Sequence, residues 1–352
     1  MIRKLFPLIC WILTHVSLAQ NDHKEVMAVQ GDGIYSLLRN SGLDPKKYLV
    51  PFIELNKENL SSENGLFIGR IYKLPNANEK VEKADEEVVV PDSIDVRTVK
   101  ATEVLEKRHY DIFGKDYNTV LVESRQLEGA VFYLISGHGG PDPGAVEHYN
   151  GTLITEDEYA YDVTLRLARK LISNGALVYL ITRDANDGIR DESILPVDHD
   201  ERTYPDRKIP RSQVQRLRQR VTAANELYDK YSYKPYQRII ETHVDSRSKG
   251  ENIDVFFYYH ENSKYGKRLA DNLQNTFKEK YARYQPNRKY YGTIEPRSSL
   301  YSLKYSKAPA VYVEIGNLKN SRDQRRILDW ENRDAIAKWI ADGVIKDYKE
   351  GK

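Results

Sequence analysis

The sequence predicts an α/β protein, a layered sheet with helices on both faces, preceded by a small βααβ unit. Short apolar runs such as AVFYLIS and PAVYVEI alternate with segments of helical period, an order typical of a largely parallel sheet. A charged stretch over residues 76–108 separates this part from an earlier compact segment. The chain has 352 residues, a length that favours two domains.

The beginning of the chain has the pattern of a secretory signal peptide. MIRK is basic, a short apolar run follows, and small residues stand at Ser17 and Ala19. We therefore expect residues 1–19 to be cleaved after Ala19 and the protein to be exported and periplasmic. An uncleaved anchor is the alternative, but the run is short and Pro7 and His15 interrupt it. No later segment is apolar enough to predict a transmembrane span.

Composition excludes some functions for the mature chain. Its single cysteine, Cys10, lies inside the signal, so any metal must be held by histidines and carboxylates. Cleavage removes Arg3 and Lys4 from 54 basic residues, which leaves as many bases as the 52 acids. A chain with balanced charge and no basic block is not expected to bind nucleic acid.

Residues 26–75 predict a compact unit with the order strand, helix, helix, strand. This order resembles the LysM module, which implies binding to glycans that contain N-acetylglucosamine. Gly33 departs from the usual threonine, and the loop between the helices is long. The alternative is a small domain that binds nothing. The residues that match the LysM pattern are Val29, Gly31, Asp32, Tyr35, Leu37, Leu38, Leu55, Asn56, Gly69, Leu74 and Pro75.

Residues 76–108 predict a linker, and residues 110–350 a catalytic domain. Its predicted strands are AVFYLIS, ALVYLIT, QRIIET, IDVFFYY and PAVYVEI. The first long helix has a periodic apolar face and ends at Asn174-Gly175, a sequence that favours a left-handed cap. The polar stretch 184–212 is too long for a simple connection. It is either a lid over the groove or a solvated insertion.

Four polar residues converge on one edge of the predicted sheet, where ligands of open α/β sheets gather. His138, His243 and Glu314 each follow or end a buried strand, and Glu158 stands in the first turn of the helix after His138. Two imidazoles and one carboxylate are the ligands of a catalytic zinc ion, with water in the fourth position. Glu314 is then free to act as general base and acid.

The assignments of Glu158 and His243 have structural alternatives. Thr155 to Glu158 reads as a capping box, in which the glutamate only satisfies a helix end. Glu156 is close enough to compete with Glu158 for the metal. His243 could be a core histidine, and His260, which also ends a strand, is the reserve ligand. His148 and His199 lie in polar loops and are expected to be solvated.

Residues 129–348 resemble the zinc-dependent N-acetylmuramoyl-L-alanine amidases of bacterial division and spore lysis. The motifs occur in order: GHGGPDPGA, EYAYDVTLRLARKL, LITR, LRQRVTAAN, IIETHVDS and PAVYVEIGNLKN. The resemblance implies that His138, Glu158 and His243 bind Zn²⁺ and that Glu314 is catalytic. It selects Glu158 over Glu156. The chain departs from the family pattern at Ile135, Asp245 and Asn317.

The resemblance implies hydrolysis of the amide between N-acetylmuramic acid and the L-alanine of the stem peptide. Peptidoglycan is thus the expected partner, and an activator protein is a further candidate. Two other functions stay open at this point. One is a zinc peptidase that cuts within the stem peptide, and the other is a non-catalytic wall-binding protein anchored by its LysM-like unit.

Overall fold

The computed structural model describes residues 23–28, 33–60, 66, 67, 69–76, 105–247 and 250–351. The chain divides into two compact units, residues 1–95 and 96–352. The predicted signal peptide and most of the predicted linker lie outside the described residues. None of the described helices is both long and apolar enough to cross a membrane.

The first unit has the order strand, helix, helix, strand. Its elements are β1 (Glu25–Met27), α1 (Ile34–Asn40), α2 (Pro45–Leu55) and β2 (Ile71–Lys73), with a 3₁₀ turn over Lys57–Asn59. Strands β1 and β2 pair antiparallel, and Leu38, Phe52 and Tyr72 form the centre of the core. The amide of Asn56 donates to the carbonyl of Lys73 at 2.8 Å and so ties α2 to β2. Val29, Gly31 and Asp32 of the LysM-like pattern lie outside the described residues.

The first described elements of the second unit form the hairpin β3 (Glu106–His109) and β4 (Thr119–Val122). Strand β3 starts inside the stretch predicted as linker. The remaining elements are β5 (Val131–Ser136), β6 (Val146–Tyr149), β7 (Thr152–Thr155), α3 (Glu156–Ser173), β8 (Leu177–Leu180), β9 (Thr182–Arg183), β10 (Arg202–Thr203), β11 (Arg207–Lys208), α4 (Gln213–Lys230), β12 (Gln237–Asp245), β13 (Phe256–Tyr259), α5 (Lys264–Tyr284), β14 (Ile294–Pro296), α6 (Tyr301–Tyr305), β15 (Ala310–Asn317), α7 (Ser321–Leu328) and α8 (Trp330–Glu350).

A six-stranded sheet in the order β14-β13-β15-β12-β5-β8 forms the centre of this unit. Strands β8, β5, β12 and β15 are all parallel, whereas β13 runs antiparallel to β15. The predicted α/β sheet is therefore confirmed. Because β5, β12 and β15 are adjacent and parallel, their carboxyl ends meet at one edge.

Both faces of the sheet are covered, as the continuous apolar runs of its strands require. Phe132, Leu134 and Ile240 pack on one side against α3, α5 and α8. The alternate residues, such as Tyr133 and Ile239, pack on the other side against α4 and α6. Successive strand side chains point to opposite faces, which explains why both sets are buried.

Helix α3 ends as predicted, with Gly175 in the left-handed region at φ 89°. Its start differs from the capping-box alternative, because the side chain of Thr155 makes no capping hydrogen bond. The first turn carries three acids, Glu156, Asp157 and Glu158, all of them buried. This turn adjoins the carboxyl edge of the sheet and contributes to the site described below.

The insertion over residues 184–212 is packed against the domain. Its strands β10 and β11 form a small antiparallel sheet with β9, which directly precedes the insertion. Leu195 is buried in the same core as α3, and the guanidinium of Arg333 donates to the carbonyl oxygens of Arg190 and Glu192 at 2.8 and 2.9 Å. The described insertion is thus fastened to the domain at several points, unlike a solvated loop.

Candidate metal centre

His138 lies in a tight loop directly after strand β5. It has a positive φ of 61°, and Gly139 and Gly140 after it are also left-handed, so the chain turns sharply here. The nitrogen Nδ1 of His138 lies 2.9 Å from Oδ2 of Asp142. The guanidinium of Arg220 donates to the carbonyl of His138. The other ring nitrogen, Nε2, is directed towards the start of α3.

Glu156, the first residue of α3, meets both histidines. Its Oε2 lies 3.3 Å from Nε2 of His138, and its Oε1 lies 2.8 Å from Nδ1 of His243. The same two oxygens accept the backbone N–H groups of Ala145 at 2.8 Å and Val244 at 2.9 Å. These bonds hold the carboxylate between the β5 loop and strand β12.

His243 and Glu314 are neighbours across two parallel strands. The register pairs His243 of β12 with Glu314 of β15, so both project at the same edge. The ring of Tyr312 stacks on the imidazole of His243 with centroids 4.2 Å apart. Glu314 is buried, and its Oε2 has no hydrogen-bond partner in the described part of the chain.

The donors of His138, Glu156 and His243 form one candidate metal site. One ligand atom from each residue lies within 4.8 Å of the others. Tetrahedral zinc, with bonds of about 2.0–2.1 Å, holds its ligands about 3.3 Å apart, close to the two separations above. A Cβ on Gly144 would lie 2.6 Å from both Glu156 Oε2 and the His138 ring, and one on Gly137 would overlap the His243 ring. The residues therefore fit zinc, and glycines make room for them.

Each histidine presents one nitrogen to the centre and the other to a carboxylate. For His138 the outer partner is Asp142, which also accepts from Arg216 at 2.6 Å. For His243 it is the buried Glu241, whose Oε1 lies 3.2 Å from Nε2. Metal-binding histidines commonly donate their second N–H to such a carboxylate, which fixes the ring and raises its basicity.

The charges of the site favour a cation. Burial alone would lower the pKa of His243, but its hydrogen bonds to Glu156 and Glu241 prevail and raise that pKa to about 10. Burial raises the pKa of Glu314 to about 8; the charge of His243 opposes this rise, and Glu156 adds to it. A bound cation would lower the pKa of Glu314 towards the range that a general base needs.

Glu158 does not reach this centre, which corrects the ligand expected from the sequence. Its Oε2 accepts from the guanidinium of Arg190 at 2.9 Å, and its Oε1 accepts from the backbone N–H of Asp198 at 3.0 Å. Residues two positions apart in a helix point about 200° apart around its axis. Because Glu156 faces the histidines, Glu158 must face away from them, into the 184–212 insertion.

His260, His148 and His199 lie outside the candidate centre. His260 follows β13, and its Nδ1 accepts the backbone N–H of Asn262 at 3.2 Å, so the reserve ligand is not used. The side chains of His148 and His199 are exposed, as expected. Asp142 and Glu241 also belong to the site, although neither was expected there from the sequence. Asp142 stands four residues after His138, and Glu241 alternates with His243 on the same strand.

The structure is an α/β fold with a candidate His/Glu metal centre at the carboxyl edge of a mostly parallel sheet. The model of the family "N-acetylmuramoyl-L-alanine amidase" matches residues 133–346, more than half of the chain. The chain therefore belongs to the N-acetylmuramoyl-L-alanine amidase family.

Individual relatives are distant. The germination-specific N-acetylmuramoyl-L-alanine amidase of Bacillus subtilis (strain 168) is 26% identical over 235 residues, 64% of this chain and 83% of the relative. The structure of the CwlD amidase from Clostridioides difficile, solved with the GerS lipoprotein, is 22% identical with a TM-score of 0.46 and covers 63% of this chain and 99% of that one. The structure of the amidase AmiC2 of Nostoc punctiforme is 22% identical with a TM-score of 0.43. The match covers 62% of this chain and 96% of that one.

Family membership gives the reaction. The protein is a peptidoglycan hydrolase, and it cleaves the amide bond between N-acetylmuramic acid and the L-alanine of the stem peptide. Since this bond lies in the cell wall, the enzyme acts outside the cytoplasm. The functional prediction is confirmed at this level.

Proposed function

We propose that the amidase is zinc-dependent and that His138, Glu156 and His243 hold the ion. The observation that carries the proposal is the convergence of these three donors, with separations of 2.8 and 3.3 Å that suit tetrahedral zinc. This set of ligands differs from the predicted set in one residue, because Glu156 takes the place of Glu158. When bound, Zn²⁺ would lower the pKa of a water molecule and polarise the scissile carbonyl.

The chain's own residues prepare the site for this ion. Asp142 and Glu241 each accept the outer N–H of one histidine, which turns the other nitrogen inward. Tyr312 keeps the ring of His243 in one plane by stacking on it. A three-residue set leaves a coordination position for water or substrate, as catalytic zinc sites require.

Glu314 is the proposed general base and acid. It is buried beside His243, and its Oε2 has no partner among the described residues, so the carboxylate is available to a reacting molecule. In its charged form it would take a proton from water and later give that proton to the leaving amine of L-alanine. Glu314 would thus transfer the proton and would not bind the metal.

The decisive experiment measures zinc and activity on the same preparations. Zinc per chain and the release of stem peptides from purified peptidoglycan are measured for wild type, His243→Ala and Glu314→Gln. We expect His243→Ala to lose both zinc and activity and Glu314→Gln to lose activity only. Mass analysis identifies the bond, because a peptidase would release fragments of the stem peptide. A wild-type chain that is fully active after complete removal of zinc would refute the proposal.

For the first unit, we infer a role in binding glycan. The βααβ order and the LysM-like pattern over residues 26–75 support this inference. Residues 1–19 would direct export to the periplasm before cleavage, and an activator protein stays a prediction. Retention of a Glu314→Gln chain on insoluble peptidoglycan, with and without residues 20–95, tests the glycan-binding role. Equal retention of both forms would argue against it.

A further inference from the structure

Three buried carboxylates form a second cluster on the other side of the first turn of α3. Asp157 and Glu158 belong to this turn, and Glu201 comes from the 184–212 insertion. All three are at least 94% buried, and one ligand oxygen from each lies within 4.8 Å of the others. This cluster contains none of the three donors of the proposed zinc site.

The described contacts leave this cluster short of positive charge. Arg190 donates to Glu158, but it also pairs with Asp187, so its charge is divided between two carboxylates. Glu201 accepts the backbone N–H of Gly140 at 2.6 Å. Burying carboxylates together without compensating charge is costly, because each one repels the others in a medium of low dielectric.

Asp157 gives independent evidence that a ligand is missing from these contacts. It is 2% exposed, and its Oδ1 accepts the backbone N–H of Glu158 at 3.0 Å. Its Oδ2 is buried beside the hydroxyl of Thr155, and neither oxygen has a partner of hydrogen-bond geometry within the described ranges. Nearly all buried carboxylate oxygens in folded proteins have a partner, and a cation would provide one here.

We propose that Asp157, Glu158 and Glu201 bind a divalent cation, calcium, at a site separate from the zinc centre. The donors are all oxygen atoms, which hard cations prefer, whereas zinc prefers a set that includes imidazole. Calcium–oxygen bonds of about 2.3–2.6 Å allow two ligands of one ion to lie up to about 5 Å apart, which includes the observed limit. Waters and nearby carboxylates would complete the six to eight ligands that calcium takes.

A second acidic group adjoins the cluster and strengthens its negative field. Asp184, Asp187 and Asp198 also bring one ligand oxygen each within 4.8 Å of the others. The backbone of Asp198 donates to Glu158, and Asp187 shares Arg190 with it, so the two groups are in direct connection. Several carboxylates of the insertion thus lie near the start of α3.

The position of the site gives it a structural role near the active centre. Glu201 holds Gly140, two residues after His138, while Asp157 and Glu158 follow Glu156 in the chain. A cation shared by these carboxylates would join the insertion to the His138 loop and to the first turn of α3. We therefore expect calcium to stabilise the catalytic unit without entering the reaction.

The test is calorimetric titration of the zinc-loaded full-length chain with CaCl₂ after removal of free divalent ions. We expect saturable binding with a dissociation constant of about 10⁻⁵–10⁻³ M. Glu201→Gln and Asp157→Asn should each weaken binding about tenfold or more. The matched control is Glu192→Gln, an exposed acid of the same insertion, which should bind calcium like wild type.

Several outcomes would overturn the proposal. They are the absence of saturable binding by wild type up to about 10 mM calcium, binding equal in wild type and Glu201→Gln, or tighter binding of Mg²⁺ than of Ca²⁺. If Glu201→Gln does not fold, Asp157→Asn and the wild-type titration still decide. Zinc content, measured on the same samples, separates this result from a failure of the zinc proposal.

Discussion

The first turn of helix α3 separates two charged centres with different chemistry. On one side, Glu156 meets His138 and His243, a mixed nitrogen and oxygen set that suits zinc. On the other side, Asp157 and Glu158 meet Glu201 in a set of oxygens only. Adjacent acids in one turn therefore serve different centres, because each residue is rotated about 100° from the one before it.

The negative charges on the two sides of the turn are compensated in different ways. In the first centre, Glu156 is hydrogen-bonded to His243 and accepts two backbone N–H groups, and Asp142 and Glu241 support the two imidazoles. In the second centre, the arginine found among the described contacts is Arg190, which is shared between Glu158 and Asp187. Consecutive acidic residues thus belong to two sites. One site has the ligands of a catalytic ion, and the other would be stabilised by a structural cation.

The largest effect should come from Glu314→Gln. We expect the rate of stem-peptide release to fall about 10²–10⁴-fold, since the amide cannot carry the proton. Zinc content should equal that of wild type, because Glu314 is not among the three donors. Rates and elemental analysis on one preparation measure both. A variant that retains the wild-type rate would remove Glu314 from the mechanism.

Glu156→Gln and Glu158→Gln test which side of the turn holds zinc. The first change removes a charged ligand, so zinc should be lost to a weak chelator and activity should disappear with it. The second should retain zinc and lose stability, because Arg190 loses a charged partner. Zinc retention after dialysis and the Tm of both variants give the answer. Zinc loss only in Glu158→Gln would restore the ligand predicted from sequence.

Glu241→Gln should weaken zinc binding by about 10–100-fold. The amide can still accept from His243, but it no longer supports the ring with a negative charge. Competition with a chromogenic chelator measures the affinity. Glu295→Gln, an exposed acid on β14, is the matched control and should not change it. Equal affinities in the two variants would show that the charge of Glu241 is unimportant.

The smallest effect concerns the pH dependence of stability in the calcium-free chain. Burial raises the pKa of Glu201 from 4.5 to about 7; the N–H of Gly140 opposes this rise, and Glu158 and Asp198 add to it. The folded state therefore holds this proton more tightly than the unfolded state. The stabilisation is complete below about pH 4.5 and is lost as pH rises through about 7.

This dependence separates the second cluster from the first. Between about pH 5 and about pH 8 the Tm of the calcium-free wild type should fall by a few degrees more than that of Glu201→Gln. Calcium should reduce the difference, because it replaces the proton among the carboxylates. Differential scanning calorimetry at the two pH values measures it. Equal slopes for wild type and Glu201→Gln would contradict the expected titration.

Much of the fold could be read from local pattern. The apolar strands, the buried face of α3 and its end at Gly175 follow from side-chain period and turn chemistry, which neighbouring residues determine. The meeting of His138, His243 and Glu314 followed from strand ends in a parallel sheet. The antiparallel direction of β13 was not predicted, and neither was the packing of the insertion against the domain. Both depend on contacts between segments far apart in the chain.

What the sequence determined by itself is the α/β class, the amidase family and two of the three proposed ligands, because strand order and motif order carry that information. The proposal of Glu156 in place of Glu158 rests on the tertiary structure alone. Both stand in the same turn, and the choice depends on the rotation of α3 against the sheet, which packing of its apolar face sets. The same rotation placed Glu158 with Asp157 and Glu201, residues that no local pattern brings together.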